Sequence, residues 1–66
     1  MNVIVNGQPV ELSDGATTAA AVQVLTSAPS GIAVAVNGAV VRRSEWESTP
    51  LADGDQVEVL TAVQGG

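Results

Sequence analysis

Carboxylates and hydroxyls are the only side chains in this sequence that could act as catalytic groups. The 66 residues include no Cys, no His and no Lys. These absences exclude a thiol nucleophile, an imidazole base, a Schiff-base amine and a His-ligated metal. We therefore expect that the chain is not an enzyme acting by itself and has no catalytic side chains.

Two pairs of acidic residues could be read as sites. Asp53 and Asp55 lie close together, but the segment lacks the further oxygen ligands and the bidentate Glu of a calcium loop, so we interpret both as turn residues. Glu45 and Glu47 would diverge on a helical turn and are expected to form a solvated surface. The sequence predicts no metal site.

The remaining candidate is the main-chain carboxylate at the end of the sequence. Gly65 and Gly66 have no Cβ, so the tail is thin enough to enter a narrow channel. An α-carboxylate is an anion at neutral pH and a poor electrophile, so any acyl chemistry there needs activation by a partner. The alternative is that the two glycines are simply a frayed terminus.

The composition indicates one small folded domain. Apolar residues make up 45% of the chain and charged residues 14%, and the formal net charge is −5. We predict a single domain over 1–66 with a flexible tail over 62–66, monomeric when alone. The negative charge argues against nucleic acid or an anionic membrane as a partner, and the N-terminus lacks a signal-peptide pattern, so we expect a cytoplasmic protein.

The first half of the chain predicts a hairpin followed by one helix. Val3 and Val5 alternate with their neighbours before Asn6-Gly7, and the alternation then resumes, as in a hairpin with a tight turn. Pro9 should lie at the start of the second strand or on an exposed edge. A helix is predicted over 17–28, and Thr18, Ala21, Val22 and Leu25 would share one of its faces.

The second half predicts further strands. Residues 32–36 are apolar enough for a central strand, and Asn37-Gly38 repeats the first turn. Ser44 and Glu47 have capping-box spacing for a short helical turn that places Trp46 as a lid on the core. The last strand covers 57–60. This order predicts an α+β, β-grasp fold, with a small mixed sheet of four to five strands and one main helix on one face.

The last strand also predicts a docking surface. If Val57 and Val59 face inward, the outward residues are Glu58, Leu60 and Ala62. An apolar contact ringed by acidic groups would suit a basic partner, although one exposed Leu by itself needs no functional explanation. Arg43 could contact a partner or form a surface ion pair.

Several stretches together resemble one family. They are Ala35-Val36-Asn37-Gly38, then Val41, Arg43 and Trp46, then Leu51-Ala52-Asp53-Gly54-Asp55, and the final Gly65-Gly66. In their order and spacing these residues resemble the ubiquitin-like sulfur carrier proteins of thiamine biosynthesis. The similarity extends over the whole chain, and its second half is the more specific.

The resemblance implies a defined cycle. An adenylyltransferase of the ubiquitin-activating type would use ATP and magnesium to adenylate the Gly66 carboxylate, and a cysteine-derived persulfide would supply sulfur to form a thiocarboxylate. Thiazole synthase would then take the sulfur, with Val63, Gln64 and Gly65 in the partner's channel. The chain would be a cosubstrate that binds no cofactor itself. Because it lacks Cys, the terminal carboxylate is the group left to hold sulfur.

Two alternatives remain open at this point. The small subunit of molybdopterin synthase has the same fold and the same kind of tail, but generally a longer chain. A ubiquitin-like interaction module would bind through its sheet and leave its terminus chemically idle. Loss of the two final glycines would abolish a carrier's function and would be tolerated by a module.

Overall fold

The first two strands form the hairpin that the alternating apolar residues predict. In the computed structural model, which describes residues 1–26 and 31–61, β1 spans Asn2–Val5 and β2 spans Gln8–Glu11, paired antiparallel. Asn6 and Gly7 make the turn with φ of 50° and 82°. Two successive positive φ values define the tight turn that matches the twist of a hairpin. Pro9 lies on β2 at the edge of the sheet, as predicted.

The sheet places the last strand at its centre. The other strands are β3 (Ile32–Val36), β4 (Ala39–Val41) and β5 (Gln56–Thr61), and the order across the sheet is β2-β1-β5-β3-β4. β5 pairs parallel with β1 and antiparallel with β3. The prediction that 32–36 lies centrally in the sheet is confirmed, because β3 is an inner strand that pairs with β5 on one side and with β4 on the other.

One α-helix, α1 (Thr18–Leu25), packs on the sheet. It buries Thr18, Ala21 and Val22 on one face, while Leu25, one turn further along that face, is 48% exposed. The helix ends at Leu25 because Thr26 has extended backbone angles. The predicted helix reached residue 28, which lies outside the described residues.

Trp46 forms the predicted lid. It lies in a 3-10 helix (Arg43–Ser48), is 7% exposed, and donates a hydrogen bond from Nε1 to the Val41 carbonyl at 2.9 Å. The predicted capping box is wrong, because the N-cap is Arg42 and no side chain caps this turn. The Arg42 carbonyl instead accepts the Glu45 amide at 2.8 Å, the tight pairing of a short 3-10 turn.

The core lies between the sheet and these two helices. Its buried apolar residues are Val3, Val5, Ala21, Val22, Val34, Trp46, Leu51, Val57 and Val59. Thr18 is buried but donates its hydroxyl to the Thr49 carbonyl at 3.1 Å, so its polar group is satisfied. A mixed five-stranded sheet with one α-helix confirms the predicted fold class. No helix in the described ranges is long and apolar enough to cross a membrane.

Candidate docking face and the strand that leads to the tail

The structure describes the base of the candidate tail. β5 ends at Thr61, the last described residue. The predicted sulfur site Gly66, the channel residues Val63, Gln64 and Gly65, and the docking residue Ala62 lie outside the described residues. What the structure brings to the site is the strand that carries the tail and the surface around it.

The sheet face opposite α1 carries an exposed apolar surface, here called the open face. Residues that pair across strands share a face, and the register pairs Leu60 with Ala33, Glu58 with Ala35, and Ala35 with Val40. Leu60 is 70% exposed and Val40 80% exposed. The open face is thus Ala33, Ala35, Val40, Glu58 and Leu60.

Glu58 and Leu60 point outward as the alternation predicts, because Val57 and Val59 between them are buried. Glu58 is the one charged member of the open face. The two alanines lower the surface beside Leu60, and a shallow pocket forms at the end of β5, lined by Gly31, Ile32, Ala33, Leu60 and Thr61. An apolar side chain of a partner could enter it next to the root of the tail.

Asn37 fixes the start of β5. Its side-chain Oδ1 accepts a hydrogen bond from the Gln56 main-chain amide at 3.0 Å, and its main-chain amide donates to the Gln56 carbonyl at 2.7 Å. Its Nδ2 also donates to Asp55 Oδ1 at 3.0 Å, while the Ala52 amide donates to Asp55 Oδ2 at 2.8 Å. The hydrogen bond from the Ala52 main-chain amide, followed by the one from the Asn37 side-chain amide, stabilises the Asp55 carboxylate and so lowers its pKa from the usual value.

Asn6 fixes β5 from its other side. The Val59 amide donates to Asn6 Oδ1 at 2.8 Å, and Asn6 Nδ2 donates to the Val59 carbonyl at 3.1 Å. The side-chain amide therefore supplies both hydrogen bonds that a further residue of β1 would have made. The sequence predicted only turns at the two Asn-Gly pairs, and the repeated Val-Asn-Gly was the one signal of their shared second role.

The acidic loop between Leu51 and β5 is structural. Asp53 Oδ1 accepts the Asn2 amide at 2.7 Å, and the Gly54 amide donates to the Asn2 carbonyl at 2.7 Å. These contacts bear out the interpretation of Asp53 and Asp55 as turn residues. Within the described ranges, no three acidic side chains are grouped to hold a metal ion. Arg43 lies over the Trp46 ring, 5.4 Å from its centroid.

In the described residues, a mixed sheet with β5 at its centre and one α-helix across a single face defines a protein of the β-grasp class. A model of the ThiS family matches residues 3–66. The chain belongs to the ThiS family.

Relatives agree with this assignment. The sulfur carrier protein ThiS of Escherichia coli is 29% identical over 66 residues, which cover all of both chains. The crystal structure of the thiamine biosynthesis protein ThiS from Geobacter metallireducens is 32% identical with a TM-score of 0.78, again over both complete chains. A solution structure from the same organism is 33% identical with a TM-score of 0.79, covering all of this chain and 88% of that one. This chain is a small sulfur carrier of thiamine biosynthesis and not a catalyst.

One relative is much larger. A thiazole synthase of Magnetococcus marinus is 35% identical over 66 residues, which are all of this chain but only 20% of that protein. A segment similar to the whole carrier is thus part of a polypeptide named for thiazole synthesis.

Proposed function

We propose that the carboxylate of Gly66 is the group that is adenylated and that carries the sulfur. The observation that carries this proposal is the family match, which runs through residue 66 and so includes Gly65 and Gly66. The side-chain inventory supports it, because a chain without Cys has no thiol to hold a persulfide. In this proposal residues 1–66 form a single domain with a flexible tail over 62–66, and Val63, Gln64 and Gly65 lie in the partner's channel.

The proposed cycle makes the chain a cosubstrate of three partners, namely an adenylyltransferase, a persulfide donor and thiazole synthase. An adenylyltransferase of the ubiquitin-activating type joins the Gly66 carboxylate to the AMP part of ATP, with magnesium, and releases pyrophosphate. A cysteine-derived persulfide then attacks the acyl carbon and displaces AMP, and a thiol reduces the resulting S–S bond to leave the thiocarboxylate. Activation is required because the carboxylate itself is a poor electrophile, and the acyl adenylate must be shielded from water.

The open face is the proposed docking surface, extended by Ala62. Exposed Leu60 beside Ala33 offers an apolar contact at the root of the tail, and Glu58 offers a charge for a basic group on the partner. Thiazole synthase is the proposed acceptor, supported by the relative in which a carrier-like segment is part of a thiazole synthase. Docking there would place the tail next to the enzyme that uses its sulfur.

Mass spectrometry tests the carrier chemistry. The protein is incubated with ATP, magnesium, the adenylyltransferase and a persulfide donor, and fragment masses locate any exchange of oxygen for sulfur. We expect a shift confined to the fragment that contains Gly66. Fragments are needed because oxidation of Met1 gives nearly the same mass gain. An unmodified terminus, with the enzyme active on a known carrier, would refute the proposal.

Deletion of Gly65 and Gly66 separates a carrier from an interaction module. A carrier keeps its fold and its affinity for a partner's docking surface but loses all sulfur loading, whereas a module keeps its function. Supplying the thiocarboxylate form to thiazole synthase and to molybdopterin synthase separates the two carrier pathways. We expect thiazole formation, because two of the relatives are named for thiamine biosynthesis or thiazole synthesis.

A further inference from the structure

The central strand β5 has two backbone edges that end at different places. On one side it pairs with β3 through Thr61, which lies opposite Ile32. On the other side its strand pairing with β1 stops at Val57, opposite Val5. The last part of β5 is therefore an inner strand on one side and an edge strand on the other.

Successive residues of a strand direct their main-chain amide and carbonyl groups to alternate sides, and this alternation decides which groups of β5 face β1. The amide of Asn6 donates to the Val57 carbonyl at 2.9 Å, and the Val59 amide donates to the Asn6 side chain at 2.8 Å. Odd-numbered residues of β5 thus direct their amides and carbonyls towards β1, while Gln56 bonds Asn37 on the β3 side. Thr61 is the next odd-numbered residue, so its amide and carbonyl point to the β1 side.

Asn6 marks where this edge becomes available. Its side chain bonds both main-chain polar groups of Val59, and no group within residues 1–26 and 31–61 accepts a hydrogen bond from the outward amide of Thr61. A strand edge of this kind is a template for pairing with another chain. Pairing here would begin at Thr61, one residue before the segment that leads to Gly66.

We propose that an extended strand of thiazole synthase pairs with the backbone of β5 at Thr61, on the edge next to Asn6. This inference rests on the proposed function and adds how the tail is held. The synthase is the chosen occupant because a carrier-like segment is part of a polypeptide with that name, and because the Thr61 edge is continuous with the open face through Leu60.

Backbone pairing would set the position of the sulfur. Hydrogen bonds to main-chain groups fix a strand in one register, and one residue of an extended chain spans about 3.3 Å. A slip by one residue would move the thiocarboxylate by about that distance, enough to lose alignment with a reacting atom. The open face then supplies affinity, and the edge of β5 supplies register.

The test combines hydrogen exchange with one substitution. Amide exchange is followed by NMR for the full chain alone and with the thiazole synthase of the same organism. We expect exchange at Thr61 to slow at least tenfold in the complex, with Leu60, whose amide faces β3, protected in both states. Thr61→Pro removes the outward amide, and Thr61→Val keeps it with a side chain of similar shape. Loss of one hydrogen bond predicts about 2- to 12-fold weaker binding of Thr61→Pro than of Thr61→Val.

The outcomes separate this inference from the proposed function. Unchanged exchange at Thr61 in the complex, protection only with the adenylyltransferase, or equal affinities of folded Thr61→Pro and Thr61→Val would each overturn strand pairing with the synthase. If Thr61→Pro does not fold, as its melting curve would show, the exchange of the unmodified chain decides alone. Sulfur loading at Gly66 is measured in a separate experiment. Its failure would refute the carrier site, and hydrogen exchange at Thr61 would still show whether the strands pair.

Discussion

Replacing Asn6 should lower the stability of the fold in two separable ways. Asn6→Gly removes the side chain that bonds both polar groups of Val59 but keeps the positive φ of 50° accessible. Each lost hydrogen bond contributes about 0.5–1.5 kcal/mol net. Glycine removes the strain of the left-handed conformation, which stabilises the folded state, but it also raises the entropy of the unfolded chain, which destabilises the folded state. These two contributions to the free energy of unfolding roughly cancel. We therefore expect the free energy of unfolding to fall by about 1–3 kcal/mol.

Asn6→Ala loses the same two hydrogen bonds and keeps a Cβ in the left-handed region. It should be less stable than Asn6→Gly by about 1 kcal/mol, because a Cβ at positive φ is strained. A domain of this size is stable by only about 3–5 kcal/mol, so both effects are large fractions of the total.

Urea unfolding at 25 °C, followed by tryptophan fluorescence, measures both differences. Trp46 is the sole aromatic residue and is 7% exposed, so its emission reports unfolding directly. With an m-value of about 1 kcal/mol/M, a loss of about 1–3 kcal/mol moves the midpoint by about 1–3 M. Equal midpoints for Asn6→Gly and Asn6→Ala would refute the strained backbone, and an unchanged midpoint for Asn6→Gly would refute the contribution of the hydrogen bonds to Val59.

Three further changes have defined outcomes. Trp46→Phe leaves the Val41 carbonyl without the indole donor that lies at 2.9 Å, and we expect the free energy of unfolding to fall by about 2 kcal/mol. A thermal CD scan should then show a melting temperature lower by about 10 °C. An unchanged melting temperature would contradict this. The folded-state pKa of Asp55 is lowered, so its carboxylate stabilises the fold above about pH 4 and this contribution is lost as the pH falls through the lowered value. Asp55→Asn should therefore show a smaller loss of urea stability between pH 7 and pH 3 than the unmodified chain, and an equal loss would count against the assignment. Leu60→Ala should weaken thiazole synthase binding about tenfold by calorimetry with stability changed by less than about 0.5 kcal/mol, whereas Val24→Ala, also exposed but on α1, should bind like the unmodified chain.

The elements of the fold were predictable where the signal is local. Alternation around Asn6-Gly7 located the first hairpin, and alternation at 57–60 separated the buried valines from Glu58 and Leu60. The prediction was less accurate where a few residues are compatible with more than one kind of helical turn. The capping-box spacing at Ser44 is compatible with an α-turn, yet the segment forms a 3-10 helix whose N-cap, Arg42, lies two residues earlier.

The position of β5 and the roles of the two asparagines were not predictable from local pattern. Asn6 bonds Val59 across 53 residues of sequence, and Asn37 bonds Gln56 across 19. Both interactions require the sheet order, which depends on packing of the whole core. The candidate sulfur site at Gly66 followed from the family resemblance and the missing Cys, because the chemistry belongs to the main chain and leaves no side-chain pattern.

The central place of β5 has a consequence for how the chain folds. The hairpin of β1 with β2 and the hairpin of β3 with β4 meet in the sheet only through β5. Neither hairpin alone is stable in water, so the sheet cannot form from one end, and its nucleus must close the long loop between β1 and β5. Folding should be all-or-none and slower than for a helical protein of equal length. Until β5 inserts, the facing edges of β1 and β3 are open, and a second chain's β5 could take that place, which makes strand exchange the characteristic misfolding route at high concentration.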